Sequence, residues 1–189
     1  MPTRILGVDP GLTRCGVGLI EVASSRKISL ISVDTIRTEA TSELVDRIGL
    51  IGEAIEALII GSKPSAIAIE RVFSQQNLRS VMGVAQISGV VLMLAFKHRI
   101  PVYLHTPSEV KAAVTGSGRA NKQQVGFMVA KILGLKEIPK PADAADSLAI
   151  AICHAWKSAG GTIASSKELT AAQKAWQAAE QAATASKRR

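Results

Sequence analysis

The first 37 residues constrain the fold more than any other part of the chain. Residues 4–9 (RILGVD), 15–23 and 28–37 (ISLISVDTIR) read as three strands joined by connections too short to hold a helix. Strands linked this tightly pair antiparallel. The chain therefore opens as a β-meander, and a doubly wound parallel sheet is excluded. Residues 41–62 then change period. Leu44, Ile48, Ile51, Ile55, Leu58 and Ile59 recur at three- and four-residue steps, the spacing of an amphipathic helix that ends at Pro64. A short strand follows at 65–70 (SAIAIE), then a long helix at 76–98 that is apolar nearly all round, then a strand at 101–105 (PVYLH). Helices are expected at 107–114, 121–133 and 140–157, the last opened by Pro141. This order predicts an α/β fold: a mixed five-stranded sheet, a three-strand meander followed by parallel strands, flanked by helices.

The 189 residues, 47% of them hydrophobic, suffice for one sizeable core, placed here in a domain over 1–157. Residues 158–189 differ in kind: a SAGGTIASSK linker, then an Ala-rich tail with a basic end. Aromatic residues make up only 3%, so the core must be aliphatic. The net charge of +8 favours a polyanionic partner. Residues 97–140 carry eight Lys/Arg against two Glu, so the anion-facing surface is expected there. Cys15 and Cys153 show neither disulfide nor zinc spacing and read as thiols of a reducing compartment. The N-terminus has no signal-peptide core, and the longest apolar stretch, residues 89–96, is far short of the ~20 residues that span a bilayer. A cytoplasmic protein with no membrane association is expected.

Asp9 ends the first strand and Glu70 the fourth, each on a face otherwise carrying small or modest residues: Ile5 and Gly7 beside Asp9, Ala66 and Ala68 beside Glu70. If those strands are parallel neighbours, the two acids lie ~4.8 Å apart at the carboxyl edge of the sheet, where open α/β sheets place their sites. Asp143 and Asp146, spaced i, i+3 in ADAAD, face one way at the start of a helix. Each acid has an ordinary explanation: Asp9 as turn initiator, Glu70 as a strand-end charge, the other two as helix-start acids. Four carboxylates that all begin or end an element can also converge. Two of them 4 Å apart repel by about 4 kcal/mol at an effective dielectric near 20, so such a cluster needs cations. Oxygen ligands without His or Cys suit Mg²⁺ or Mn²⁺, and a pair of such ions is the usual apparatus of phosphodiester hydrolysis. His154 follows Asp143 by 11 residues, ~16 Å along a helix, too far to share its metal.

GVDPGLTRCGVG, AIERVF, PSEVK…GSGRANK and DAADSLAIAICH together resemble the RuvC family of bacterial Holliday junction resolvases, over roughly residues 3–157. The resemblance implies a ribonuclease H-like fold, a homodimer, and paired metal-dependent nicks in opposite strands of four-way junction DNA. It implies Asp9, Glu70, Asp143 and Asp146 as the catalytic, metal-holding carboxylates, with Mg²⁺, two ions per site, and RuvA–RuvB as partners. Phe73 matches an aromatic that stacks on a base at the opened junction; its ordinary reading is a loop anchor. Lys111 and Lys122 match basic residues near the scissile phosphate, and Arg119 between them is a further phosphate-contact candidate; all three could be plain solvated cations. Gly83, Ala85 and Gly89 lie on the long helix that builds the family's dimer interface, although small residues there also suit packing on the sheet. The alternatives are a RuvC-like nuclease acting on RNA, and an actin/hexokinase-type ATP-binding domain. The latter also opens with acid, turn and Gly-rich strand, but needs a second domain for which 189 residues leave little room.

Overall fold

The computed structural model describes residues 2–71 and 78–158; Phe73 and the segment 159–189 lie outside the described residues. The elements are β1 (Thr3–Asp9), β2 (Arg14–Val22), β3 (Ile28–Arg37), α1 (Leu44–Ser62), β4 (Ala66–Glu70), α2 (Leu78–His98), β5 (Val102–His105), α3 (Pro107–Thr115), α4 (Lys122–Leu133) and α5 (Ala142–Ser158). They form one five-stranded sheet in the order β3-β2-β1-β4-β5. β1, β2 and β3 pair antiparallel, and β4 and β5 join parallel to β1. The mixed sheet is thus the one the sequence predicts. The first helix begins later than residue 41, because Glu43 occupies its N-cap without a side-chain bond. It stops where Lys63 turns left-handed and Pro64 follows, a residue that cannot continue a helix.

Strand alternation sorts the side chains into two aliphatic cores. Leu6, Val8, Val17, Leu19, Ile67 and Ile69 point to one face, where α1 and α2 cover them with Ile51, Ile55, Ile87 and Val91. The other face is covered by α3, α4 and α5 and carries small residues at its centre: Gly7, Gly16, Gly18 and Ala68. The helix that lies on those glycines is α5. A Cβ on Gly7 would collide with the Ser147 carbonyl oxygen and stand 2.9 Å from the Ala151 Cβ. One on Gly16 would strike the Asp143 carbonyl, and one on Gly18 would stand 2.9 Å from Ser147 Oγ and Leu148 Cδ2. The α5 backbone therefore reaches the sheet directly at Gly7 and Gly16, and the Ser147 and Leu148 side chains fill the space over Gly18. Ala144 through Ala155, apart from Asp146, are buried along it.

Only the inner half of α2 is buried, through Ile87, Val91, Leu94 and Ala95. Its outer face presents Met82, Leu92, Met93 and the 86%-exposed Phe96, with Ala85 and Gly89 on the same side. Gly83 departs from the sequence expectation. It is buried on the inner side against Leu12, whose Cβ would lie 3.1 Å from an added methyl, so it is committed to packing within the chain. By length and composition alone, Val81–His98 is also long and apolar enough to cross a membrane, although the unbroken apolar run inside it is short.

The glycine contacts make a stability prediction. Gly7→Ala should destabilise the fold by roughly 1–3 kcal/mol through overpacking. Gly49→Ala on α1, where an added methyl meets nothing within 4 Å, should be neutral or stabilise by up to ~1 kcal/mol. Urea unfolding midpoints of the two variants test the contrast.

Candidate active site

The parallel register Gly7↔Ala68 and Val8↔Ile69 makes Asp9 and Glu70 the next residues in line, at the carboxyl ends of adjacent strands. Because α5 lies against the glycine face of β1 and β2, its N-terminal end reaches the same edge. Asp143 sits in its first turn and Asp146 opens the second, slightly further along than the sequence reading placed it. Asp9, Asp143 and Asp146 each bring a carboxylate oxygen into a group whose members lie within 4.8 Å of one another, all half-buried. Glu70 stands outside that trio but lines, with Asp9 and Asp146, a cleft with a volume of about 300 Å³. Lys111 and Lys122 line it as well, and Val110, Val125 and Ile150 form an apolar wall.

The electrostatics show a cluster short of positive charge. Burial, reinforced by Glu70, Asp146 and Asp143, pushes the Asp9 carboxyl up to about 7, with Lys122 opposing. Burial and then Asp146 raise Glu70, opposed by Lys122 and Lys111. Lys122 Nζ donates to Asp146 Oδ2 at 2.9 Å, and that bond holds the lysine protonated above its ordinary range. One ion-paired lysine does not balance four carboxylates. The donor set is oxygen only, which suits a hard divalent cation; these residues fit such an ion.

Helix caps aim the lysines. Thr106 and Glu109 form a reciprocal capping box at the start of α3, which carries Lys111. Asn121 and Gln124 form another at the start of α4, placing Lys122 in its first turn beside Asp146. Arg119 is not brought to the cleft. It lines a neighbouring groove with Ser117, Gln124 and the 59%-exposed Phe127. His154 is buried in stacking contact with Tyr103, ring centroids 4.1 Å apart, and tilted against His105 at 5.5 Å. His98 binds Glu56 at 2.6 Å. None of the three histidines lines the cleft. The sequence reading missed the positioning glycines Gly7, Gly16 and Gly18. Their signal was alternation: in β1 and β2 they recur on the face that bears Asp9.

These shifts set a pH dependence. Asp9 near 7 in the fold, against 3.8 ordinarily, means that the folded chain retains a proton which the unfolded chain releases between about pH 4 and 7. Metal-free stability should therefore fall as pH rises through that window, by at most about 1.4 kcal/mol per pH unit. Asp9→Asn should flatten the slope. Urea unfolding in EDTA across the window measures both.

The chain is similar to known proteins along nearly their whole length. A family model described as "Crossover junction endodeoxyribonuclease RuvC" matches residues 5–154. The protein of that name from Leifsonia xyli is 54% identical over 193 residues, spanning 95% of this chain and 93% of the relative. The one from Clavibacter michiganensis is 52% identical over 196 residues, spanning 95% and 97%. Among solved structures, T. thermophilus RuvC in complex with Holliday junction substrate superposes with a TM-score of 0.78 at 35% identity, covering 82% of this chain and 94% of that one. With the ribonuclease H-like sheet, the carboxylates at its edge and these matches taken together, the chain belongs to the RuvC family of crossover junction endodeoxyribonucleases.

Proposed function

We propose that the chain resolves four-way DNA junctions by nicking two opposite strands, in homologous recombination and DNA repair. Asp9, Glu70, Asp143 and Asp146 are its catalytic carboxylates and hold Mg²⁺, with Mn²⁺ as substitute and two ions per site. The observation that carries this reading is the convergence of Asp9, Asp143 and Asp146 oxygens within 4.8 Å of one another, with Asp9 and Asp146 lining a cleft that Lys111 and Lys122 also line. When bound, such ions lower the pKa of an attacking water and neutralise charge on the phosphate. Asp9, whose carboxyl burial pushes up to about 7, is the group whose deprotonation readies the site. Lys111 and Lys122 stand on the cleft wall where they can meet charge developing on the phosphoryl oxygens. The products are 5′-phosphate and 3′-hydroxyl ends. Arg119 holds backbone phosphate outside the cleft. Phe73 stacks on an unpaired base, an interaction contributing roughly 1–3 kcal/mol.

A junction with two-fold symmetry calls for two sites related by a two-fold axis. The outer face of α2, with Ala85 and Gly89 among Met82, Met93 and Phe96, supplies a self-complementary apolar surface for a homodimer. Residues 1–157 carry the nuclease, and 158–189 form a linker and basic tail. The enzyme works in the cytoplasm, beside the RuvA–RuvB branch-migration complex.

Cleavage of a synthetic mobile four-way junction, beside a linear duplex of the same sequence, tests the activity. Symmetric nicking of the junction alone is expected with Mg²⁺ and none with EDTA; equal cutting of the duplex would refute junction specificity. Asp146→Asn should abolish cleavage while leaving junction binding intact, as read by gel shift. Phe96→Glu should convert the dimer to monomer in sedimentation, and the paired nicks should become uncoupled single nicks.

A further inference from the structure

The edge of the sheet opposite the carboxylates carries a second concavity. β1 begins at Thr3, which pairs with Val22, and Val22 in turn pairs with Ile28 at the start of β3. The start of β3 therefore lies a strand's length, about 20 Å, from Asp9. There β3 meets the C-terminal ends of α4 and α5 around a groove of about 800 Å³. Leu30, Ile132, Leu133 and Trp156 form its apolar lining, and Lys27 and Lys131 stand on its rim. Among the described residues, no acidic side chain lines it. Lys27 and Lys131 are exposed, and neither makes an ion pair among the described residues, whereas Lys97, Lys122 and Lys157 all do.

We propose that this groove docks an acidic segment of a partner protein, anchored by at least one large apolar side chain. Charge complementarity carries the choice of occupant. The cationic rim selects a negative ligand, and the concave apolar floor selects one with hydrocarbon to bury. A nucleic-acid backbone satisfies the first requirement and gains little from the second. A second copy of this chain, itself at +8, would bring like charge to the rim. The placement also has a consequence for function. Trp156 lies ten residues beyond Asp146, ~15 Å along α5, so an occupant leaves the carboxylate cleft open. The partner can remain bound while the cleft holds a phosphodiester.

A random-peptide display selection on the full-length chain, counter-selected against the Lys27→Glu/Lys131→Glu variant, tests the proposal. Recovered peptides should be acidic with a large apolar residue. They should bind the unaltered chain at least about tenfold more tightly than the variant by fluorescence anisotropy, with affinity falling as salt rises. The variant should keep unchanged junction binding and cleavage. Failure to enrich acidic peptides, or equal binding to both proteins, would overturn the proposal. So would a loss of junction or duplex affinity in the variant, which would make the face a nucleic-acid surface. Variant-sensitive self-association in sedimentation would make it a contact between copies and overturn the proposal equally.

Discussion

The close approach of α5 to Gly7, Gly16 and Gly18 sets the geometry of the rest of the site. Helix and sheet normally meet through side chains; here the α5 backbone touches the sheet at Gly7 and Gly16, and Gly18 leaves room for the Ser147 and Leu148 side chains, because these positions have no Cβ. That contact brings the start of α5 down to the strand edge and seats Asp143 and Asp146 beside Asp9. The opposite face needs no such approach, and its strands carry Leu, Val and Ile instead. The sheet is asymmetric for a chemical reason: both faces carry an aliphatic core, but only one also has to place carboxylates. A displacement of reacting groups by about 1 Å can cost on the order of a hundredfold in rate, so a missing methyl in β2 bears on catalysis as well as on packing.

The carboxylate cluster works against the fold that holds it. Burial and mutual repulsion drive Asp9 toward protonation, and the charge of Lys122, itself bonded to the neighbouring Asp146, opposes this. The aliphatic cores on both sides of the sheet supply the stability that keeps the acids together. A divalent cation relieves the repulsion, which explains why an oxygen-only site can be concentrated in so small a volume.

The molecule divides its surfaces by position on the sheet. The carboxyl edge carries the acids and the lysines that meet phosphate. The outer face of α2 is apolar and cation-poor until Lys97. At the opposite edge, where β3 starts and α4 and α5 end, Lys27 and Lys131 line a groove with no acidic residue among its described lining. Separation by the length of a strand allows the three surfaces to be used together.

Much of this was legible in the residues. The meander, the later helix-strand alternation and the placing of Asp9 and Glu70 at the ends of their strands followed from periodicity and from side-chain alternation, which are local properties; that the two strands are parallel neighbours came from the sheet order. The family resemblance rested on several motifs in order, and the whole-length matches agree with it. The hairpin alone was ambiguous, since an ATP-binding domain opens the same way. The family match over residues 5–154 removes the ambiguity. Gly83 could be placed on α2 from sequence, but not on its inner or outer side, because a helix apolar nearly all round does not declare which face is buried. Arg119 and Lys122 stand three residues apart in one basic stretch, yet only Lys122 reaches the cleft, because the Asn121 cap turns the chain between them. The sequence by itself determined which elements form and which of their ends carry charge, since these depend on neighbours along the chain. Tertiary structure alone decided which charges meet, because that depends on how closely two backbones pack.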